Sequence, residues 1–205
     1  MSSTITLVLG GARSGKSTWA QQFAEYSNLP VVFLATATAG DAEMTERIVA
    51  HQSNRPAGWR TIESAERLAT PVRQQARPGE LVLIDCLTLW VSNVILSQIG
   101  GADPNTVTGE RWLAIERDLI ADIADLADLA RVMSLSLVLV SNEVGMGIVP
   151  PYSLGRRYRD VLGQVNRAAA ARADAVILMI AGLPVDLRRL ALGEILGGHG
   201  DEPRS

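Results

Sequence analysis

The chain is poor in groups that cross-link or titrate near neutrality. It has one cysteine, Cys86, and two histidines, His51 and His199. A single thiol cannot close an intramolecular disulfide, so a reducing compartment, by default the cytoplasm, is expected. Charge of one sign is scarce too. A net charge of −3 offers no electrostatic case for nucleic acid or an anionic membrane. No apolar run approaches the roughly 20 residues of a membrane-spanning helix. The N-terminus shows no basic, apolar and cleavage-site succession of a signal peptide. What is present is a chain of 205 residues, 47% apolar, enough for one sizeable core. The expected division is a single nucleotide-binding domain over residues 1–192 and a loose tail, rich in glycine and charge, over 193–205.

The most informative stretch is ITLVLGGARSGKST, residues 5–18. A short apolar strand runs into Gly10, Gly11, Ala12, Arg13, Ser14, Gly15, Lys16 and Ser17, and an amphipathic run follows. This is the phosphate-binding pattern GxxxxGK[ST] in its required setting, strand before and helix after. The glycines let the backbone turn and point N–H groups at phosphate oxygens. The helix start adds its partial positive end. Lys16 brings a full charge to the β and γ phosphates, and Ser17 offers a hydroxyl to Mg²⁺. The pattern implies a Mg²⁺–nucleoside triphosphate.

The rest of the chain alternates strands and helices. A helix is expected over 16–26 with Trp19, Ala20 and Phe23 on one face, stopped at 28–30. A strand over 31–35 follows, and then a small-residue loop at its C-terminal end, the edge where ligands sit in open α/β sheets. The pattern continues with a helix from Asp41 to about 54, a short strand over 59–62, a helix over 64–75, and a strand over 81–84 ending in Asp85. Helices are expected over 87–98 and 110–131. On the second, Trp112, Ile115, Leu119, Ile123 and Leu126 form the apolar stripe, with Asp118, Asp122 and Asp125 on a solvated face. A strand over 135–140, a long connection over 142–155, a helix over 155–171, a strand over 175–180 and an edge strand over 185–190 complete the series. The fold class is α/β, a P-loop NTPase of the RecA-like kind. It has a mostly parallel sheet, helices on both faces and an antiparallel edge strand.

Four groups could carry chemistry beyond the phosphate loop. Asp85, at the end of an apolar strand, can hold Mg²⁺ or its water beside Ser17, although an aspartate there also serves as a cap or turn residue. His51 lies between Arg47 and Arg55. A neutral imidazole can attack phosphorus while arginines steady its oxygens, but spacing alone reads as a surface histidine near basic residues. Glu143 opens the long connection and could orient a hydroxyl or a metal-bound water. Residues 141–144 lack the guanine-reading NKxD pattern, which counts against a switch GTPase. Arg156, Arg157 and Arg159 crowd a helix start, where either a bound anion or a solvated basic turn would account for them.

Taken together, GGARSGKS (10–17), ATATAGDAEMTERIVAHQSNRP (35–56), Asp85-Cys86-Leu87-Thr88 and NEVGMGIVP (142–150) resemble one family. It is the bifunctional adenosylcobinamide kinase / adenosylcobinamide-phosphate guanylyltransferase of cobalamin biosynthesis. Arg156 to Asn166 and 181–184 are similar to it as well. The resemblance implies phosphorylation of adenosylcobinamide by ATP or GTP. It then implies transfer of GMP from GTP, through a histidine, to adenosylcobinamide phosphate. The matching histidine is His51. Some members carry two adjacent histidines here, whereas this chain has Ala50 before His51. By the same carry-over, residues 10–17, Ala35, Thr36, Ala37, Gln52, Ser53, Asn54, Glu63 and Asp85 contact nucleotide, Ser17 and Asp85 hold Mg²⁺, and the protein is a homotrimer or other homo-oligomer. A single-activity P-loop kinase for another small alcohol and a nucleotide-dependent switch ATPase are the competing readings.

Overall fold

The computed structural model describes residues 3–37, 56 and 58–191. The expected helix over 41–54 and the tail after 192 lie outside those residues. Seven strands form one sheet: β1 (Ile5–Gly10), β2 (Val31–Ala35), β3 (Arg60–Glu63), β4 (Leu81–Asp85), β5 (Ser136–Val140), β6 (Ala175–Ile180) and β7 (Leu183–Asp186). Their spatial order is β3-β2-β4-β5-β1-β6-β7. Every neighbouring pair is parallel except β6–β7, which is antiparallel. The described helices are α1 (Lys16–Tyr26), α2 (Ala69–Gln75), α3 (Leu87–Ile99), α4 (Gly109–Val132), α5 (Ser153–Arg172) and the single turn α6 (Leu187–Leu190).

The central strands are continuous apolar runs because both faces of the sheet are covered. Alternation then divides one strand between two cores. Leu7, Leu34, Ile84 and Leu139 pack with Trp90 of α3, Ile115 and Leu119 of α4, and Leu162 and Val165 of α5. Val8, Phe33, Leu83 and Val140 pack on the opposite face with Ala20 and Ala24 of α1. The expected stripe of α4, from Trp112 to Leu126, is buried.

Four expectations change. The buried side of α1 runs through Lys16, Ala20 and Ala24, while Phe23 is 38% exposed and stacks on Trp19 with ring centroids 5.1 Å apart. The helix expected from residue 64 begins only at Ala69. In the stretch before it the Ser64 hydroxyl donates to the Arg67 carbonyl. The start of α2 is set by Asp122, which is buried rather than solvated. Its carboxylate accepts the N–H of Leu68 at 2.7 Å and of Ala69 at 3.2 Å, supplying from across the core the acceptor a helix start needs. Finally, the edge strand begins at Leu183. Ala181 and Gly182, both at positive φ, make a two-residue turn matched to a tight hairpin. The chain after Asp186 turns into α6, capped by the Asp186 carboxylate.

Candidate active site

The site is built at the C-terminal ends of the parallel strands. β1 ends in Gly10, whose φ of +152° belongs to glycine. A Cβ there would stand 2.5 Å from the Met179 carbonyl oxygen and 2.7 Å from Ser14 Oγ. The loop that follows folds on itself. Ser14 N donates to Gly11 O at 3.3 Å and Trp19 N to Gly15 O at 2.9 Å. Gly15, at φ 94°, sits just before α1 in the left-handed region, and no side chain caps that helix. Among the described residues the start of α1 has neither a side-chain cap nor an acidic neighbour in its first turn, the arrangement that suits an anion.

Lys16 is the single lysine among the chain's 19 lysines and arginines. It is 7% exposed, and its Nζ donates to Gly11 O at 2.6 Å. Burial lowers its pKa from the ordinary lysine value, and the nearby Cys86 and Asp85 partly oppose that shift. Lys16 and Asp85 are thus within electrostatic reach of one another across the cradle. The hairpin turn between β6 and β7 buttresses the loop from the other side, with Gly182 N donating to Ser14 O at 3.1 Å.

Strand register lines up the remaining expected residues. Ala35 pairs with Glu63 on one side and Asp85 on the other, and Asp85 pairs with Val140. Glu63 is exposed at this edge and Asp85 half-buried. Thr36 is fully buried. Its hydroxyl donates to Cys86 O at 2.8 Å and accepts from Cys86 N at 3.0 Å, so its side chain welds the end of β2 to the end of β4. Asn93 Nδ2 takes the Thr36 carbonyl at 2.7 Å. The Cys86 thiol is pushed up to about 11, first by burial and then by the Asp85 charge. Glu143 arrives from the far side of β5, where its N–H donates to Gly10 O at 3.0 Å. Its Oε1 accepts from Gly145 N at 2.5 Å.

The structure thus brings together residues 10–17, Ala35, Thr36, Ala37, Glu63, Asp85 and Glu143 on one edge of the sheet. His51, Gln52, Ser53 and Asn54 lie outside the described residues, as do Arg47 and Arg55. The arginines at the start of α5 are mostly engaged by the surrounding loop and helix, while Arg159 Nη1 is buried with no partner among the described residues. Arg156 donates to the carbonyls of Pro150 and Pro151 at 3.0 and 2.7 Å. Arg157 lies over the Trp112 ring, 5.8 Å from its centroid, and Arg159 Nη2 donates to Gly145 O at 2.9 Å. The basic cluster holds the long loop and the helix surface. Asn93 was not anticipated, and Gly182 entered only within the family-like stretch 181–184, with no role at the loop assigned to it. An amide set in the largely apolar run between Trp90 and Ile95 was a usable signal for Asn93.

Comparison with known proteins agrees with this geometry. A family profile described as Cobinamide kinase / cobinamide phosphate guanyltransferase matches residues 6–187. The bifunctional adenosylcobalamin biosynthesis protein CobP of Pseudomonas aeruginosa is 43% identical over 182 residues, covering 89% of this chain and 96% of that protein. The bifunctional adenosylcobalamin biosynthesis protein CobU of Salmonella typhimurium is 40% identical, covering 89% and 98%, and that of Escherichia coli 39%, with the same coverage. Among solved structures, that of the RadB recombinase matches with a TM-score of 0.43 at 15% identity, over 85% of this chain and 73% of that one. With the match spanning nearly the whole chain and taking in the phosphate loop, the strand edge and the loop after β5, this chain belongs to the cobinamide kinase / cobinamide phosphate guanyltransferase family.

Proposed function

We propose that one phosphate cradle serves two successive reactions, phosphorylation of adenosylcobinamide by ATP or GTP and guanylyl transfer to the product. The observation that carries this reading is the meeting of Lys16, Asp85 and Glu143 at one sheet edge, in a chain of this family. In the first reaction the acceptor hydroxyl oxygen bonds to the γ phosphorus and the bond to the β-phosphate oxygen breaks, leaving the nucleoside diphosphate. Phosphoryl transfer asks mainly for positioning and charge. The loop N–H groups and Lys16 hold the triphosphate, and the Glu143 carboxylate orients the acceptor hydroxyl and takes up its proton.

A magnesium ion suits this donor set. It prefers oxygen ligands and is usually held by one or two protein oxygens plus substrate phosphates. Ser17 and Asp85 would hold it, and when bound it would neutralise phosphate charge.

In the second reaction His51 is the nucleophile. Its imidazole nitrogen bonds to the α phosphorus of GTP and pyrophosphate leaves. A phosphate oxygen of adenosylcobinamide phosphate then attacks the same phosphorus, forming the P–O–P bond of adenosylcobinamide-GDP and freeing the imidazole. The nucleotide contacts of Gln52, Ser53, Asn54 and Glu63, a cytoplasmic location, a homotrimeric or other homo-oligomeric state, and a 1–192 domain with a 193–205 tail belong to the same proposal.

The test is mass analysis of the protein after incubation with GTP. A GMP adduct mapped to His51, absent from His51→Asn, is expected, with that variant still phosphorylating cobinamide. Unchanged formation of the GDP-linked product by His51→Asn would refute the nucleophile assignment.

A further inference from the structure

The backbone of Asn142 is gripped from two helices. Its N–H donates to Thr88 Oγ1 at 2.8 Å, in the first turn of α3. Its carbonyl accepts from Asn166 Nδ2, on α5, at 3.0 Å. Thr88 is itself held, since its carbonyl accepts the Tyr158 hydroxyl of α5 at 3.1 Å. The next residue is Glu143, whose N–H reaches Gly10 O. Two residues further, Arg159 holds Gly145 O. The peptide before Glu143 is thus tied to α5 through the Asn142 carbonyl and to β1 through the Glu143 N–H, and the peptide before that to α3.

This arrangement is not what packing alone would choose. Asn166 is 6% exposed, among Val161, Leu162, Val165 and Ala169 on the inward face of α5. Among the described residues its Oδ1 is buried without a partner, as is the hydroxyl of Ser141 beside Asn142. An unsatisfied buried oxygen opposes stability, and an apolar side chain of similar size would avoid that cost. Local rules broken in this way cluster at functional sites.

We propose that Thr88 and Asn166 are positioning residues for phosphoryl transfer: by fixing the N–H and the carbonyl of Asn142 they hold Glu143 against Gly10 at the start of the phosphate cradle. The inference rests on the reading of Glu143 as the residue that orients the acceptor hydroxyl. The cradle has its own ties, from Gly182 to Ser14 and from Lys16 to Gly11, so nucleotide affinity depends less on the grip on Asn142 than kcat does. Displacing a reacting group by about 1 Å can cost about a hundredfold in rate.

The experiment uses the full chain and the variants Asn166→Leu, Thr88→Val, Thr88→Ser, Glu143→Gln and the Asn166→Leu/Glu143→Gln double. It measures melting temperature, kcat and KM for cobinamide phosphorylation, and Kd for a non-hydrolysable ATP analogue. Asn166→Leu and Thr88→Val are expected to lower kcat about tenfold or more with Kd within about twofold, and Thr88→Ser to restore it. Asn166→Leu loses an unpartnered oxygen along with the donor to Asn142 O, two opposed effects, so its melting temperature changes little. The double variant is no slower than Glu143→Gln alone, because the two share one path. A merely structural role predicts lowered melting temperature at unchanged kcat; that result, or losses that multiply in the double variant, overturns the proposal. Full activity in Glu143→Gln would instead sink the reading of Glu143 beneath it.

Discussion

Gly10 and Gly11 are neighbours in the same motif, yet the structure gives them opposite tolerances. At Gly10 the backbone has φ +152°. An added Cβ would sit 2.5 Å from the Met179 carbonyl oxygen and 3.2 Å from Met179 Cβ, both on the adjacent strand β6. That carbonyl cannot swing aside without breaking sheet pairing at Gly10–Met179. A φ uncongenial to a side chain costs about 1–3 kcal/mol, and overpacking against fixed atoms about 1–3 kcal/mol more. Gly10→Ala should therefore lose about 2–6 kcal/mol of stability, at about 2–4 °C of melting temperature per kcal/mol for a chain of this size. The displaced loop should also bind nucleotide poorly. At Gly11 nothing lies within 4 Å of the added atom, so Gly11→Ala should stay within about 0.5 kcal/mol of the parent. Thermal melts and titration with an ATP analogue, run on both variants, check the contrast. Equal behaviour of the two alanines, or a Gly10→Ala protein that melts and binds normally, would refute the argument from close approach.

Three further outcomes follow from the site and its supports. Lys16→Met should abolish both activities without lowering the melting temperature, since it relieves a buried charge. Because burial lowers the Lys16 pKa, the unfolded chain binds more protons between the folded pKa and 10.5, so the stability contribution of this group rises with pH across that window. The charge needed for phosphate is lost over the same window. The one lysine signal of a ¹⁵N-lysine sample reads the titration directly, and a midpoint at or above 10.5 would contradict the burial argument. Asp122→Ala should cost about 2–4 kcal/mol in urea melts, because it strips the acceptor from two N–H groups at the start of α2. Cys86, pushed up from 9.0 to about 11, should hold about a hundredfold less thiolate at pH 8 than an unshifted thiol. Iodoacetamide labelling followed by mass spectrometry should be correspondingly slow and should accelerate toward pH 11.

The phosphate loop was legible because its chemistry is local. Turn, amide cradle, lysine and hydroxyl all lie within eight residues. The parallel strands were legible because burial on both faces leaves an unbroken apolar signature, as in residues 81–84. What escaped depends on partners distant in sequence. Asp122 looked like one of three solvated carboxylates, because nothing on α4 announces the N–H groups of Leu68 and Ala69 that it accepts. The arginines at the start of α5 were read against the helix dipole, whereas their partners are carbonyls of the preceding loop and an indole of α4. The roles of Thr88 and Asn166 follow from where Asn142 lies between two helices, which no spacing encodes. His51 was a candidate from its flanking arginines, but spacing alone favoured a surface histidine, and only the family resemblance singled it out as the nucleophile.

The tie from Gly182 to Ser14 joins the last hairpin of the sheet to its first loop, and β1 itself lies between β5 and β6. During synthesis, then, the amino-terminal motif emerges first but waits for both flanking strands. β5 ends at Val140 and β6 at Ile180. A nascent chain released before residue 182 carries every residue of the phosphate motif and lacks the buttress that shapes it. Nucleotide affinity would then be acquired only after the β6–β7 hairpin has been made, so a ribosome-stalled series of lengthening fragments should gain it abruptly once the hairpin clears the exit tunnel.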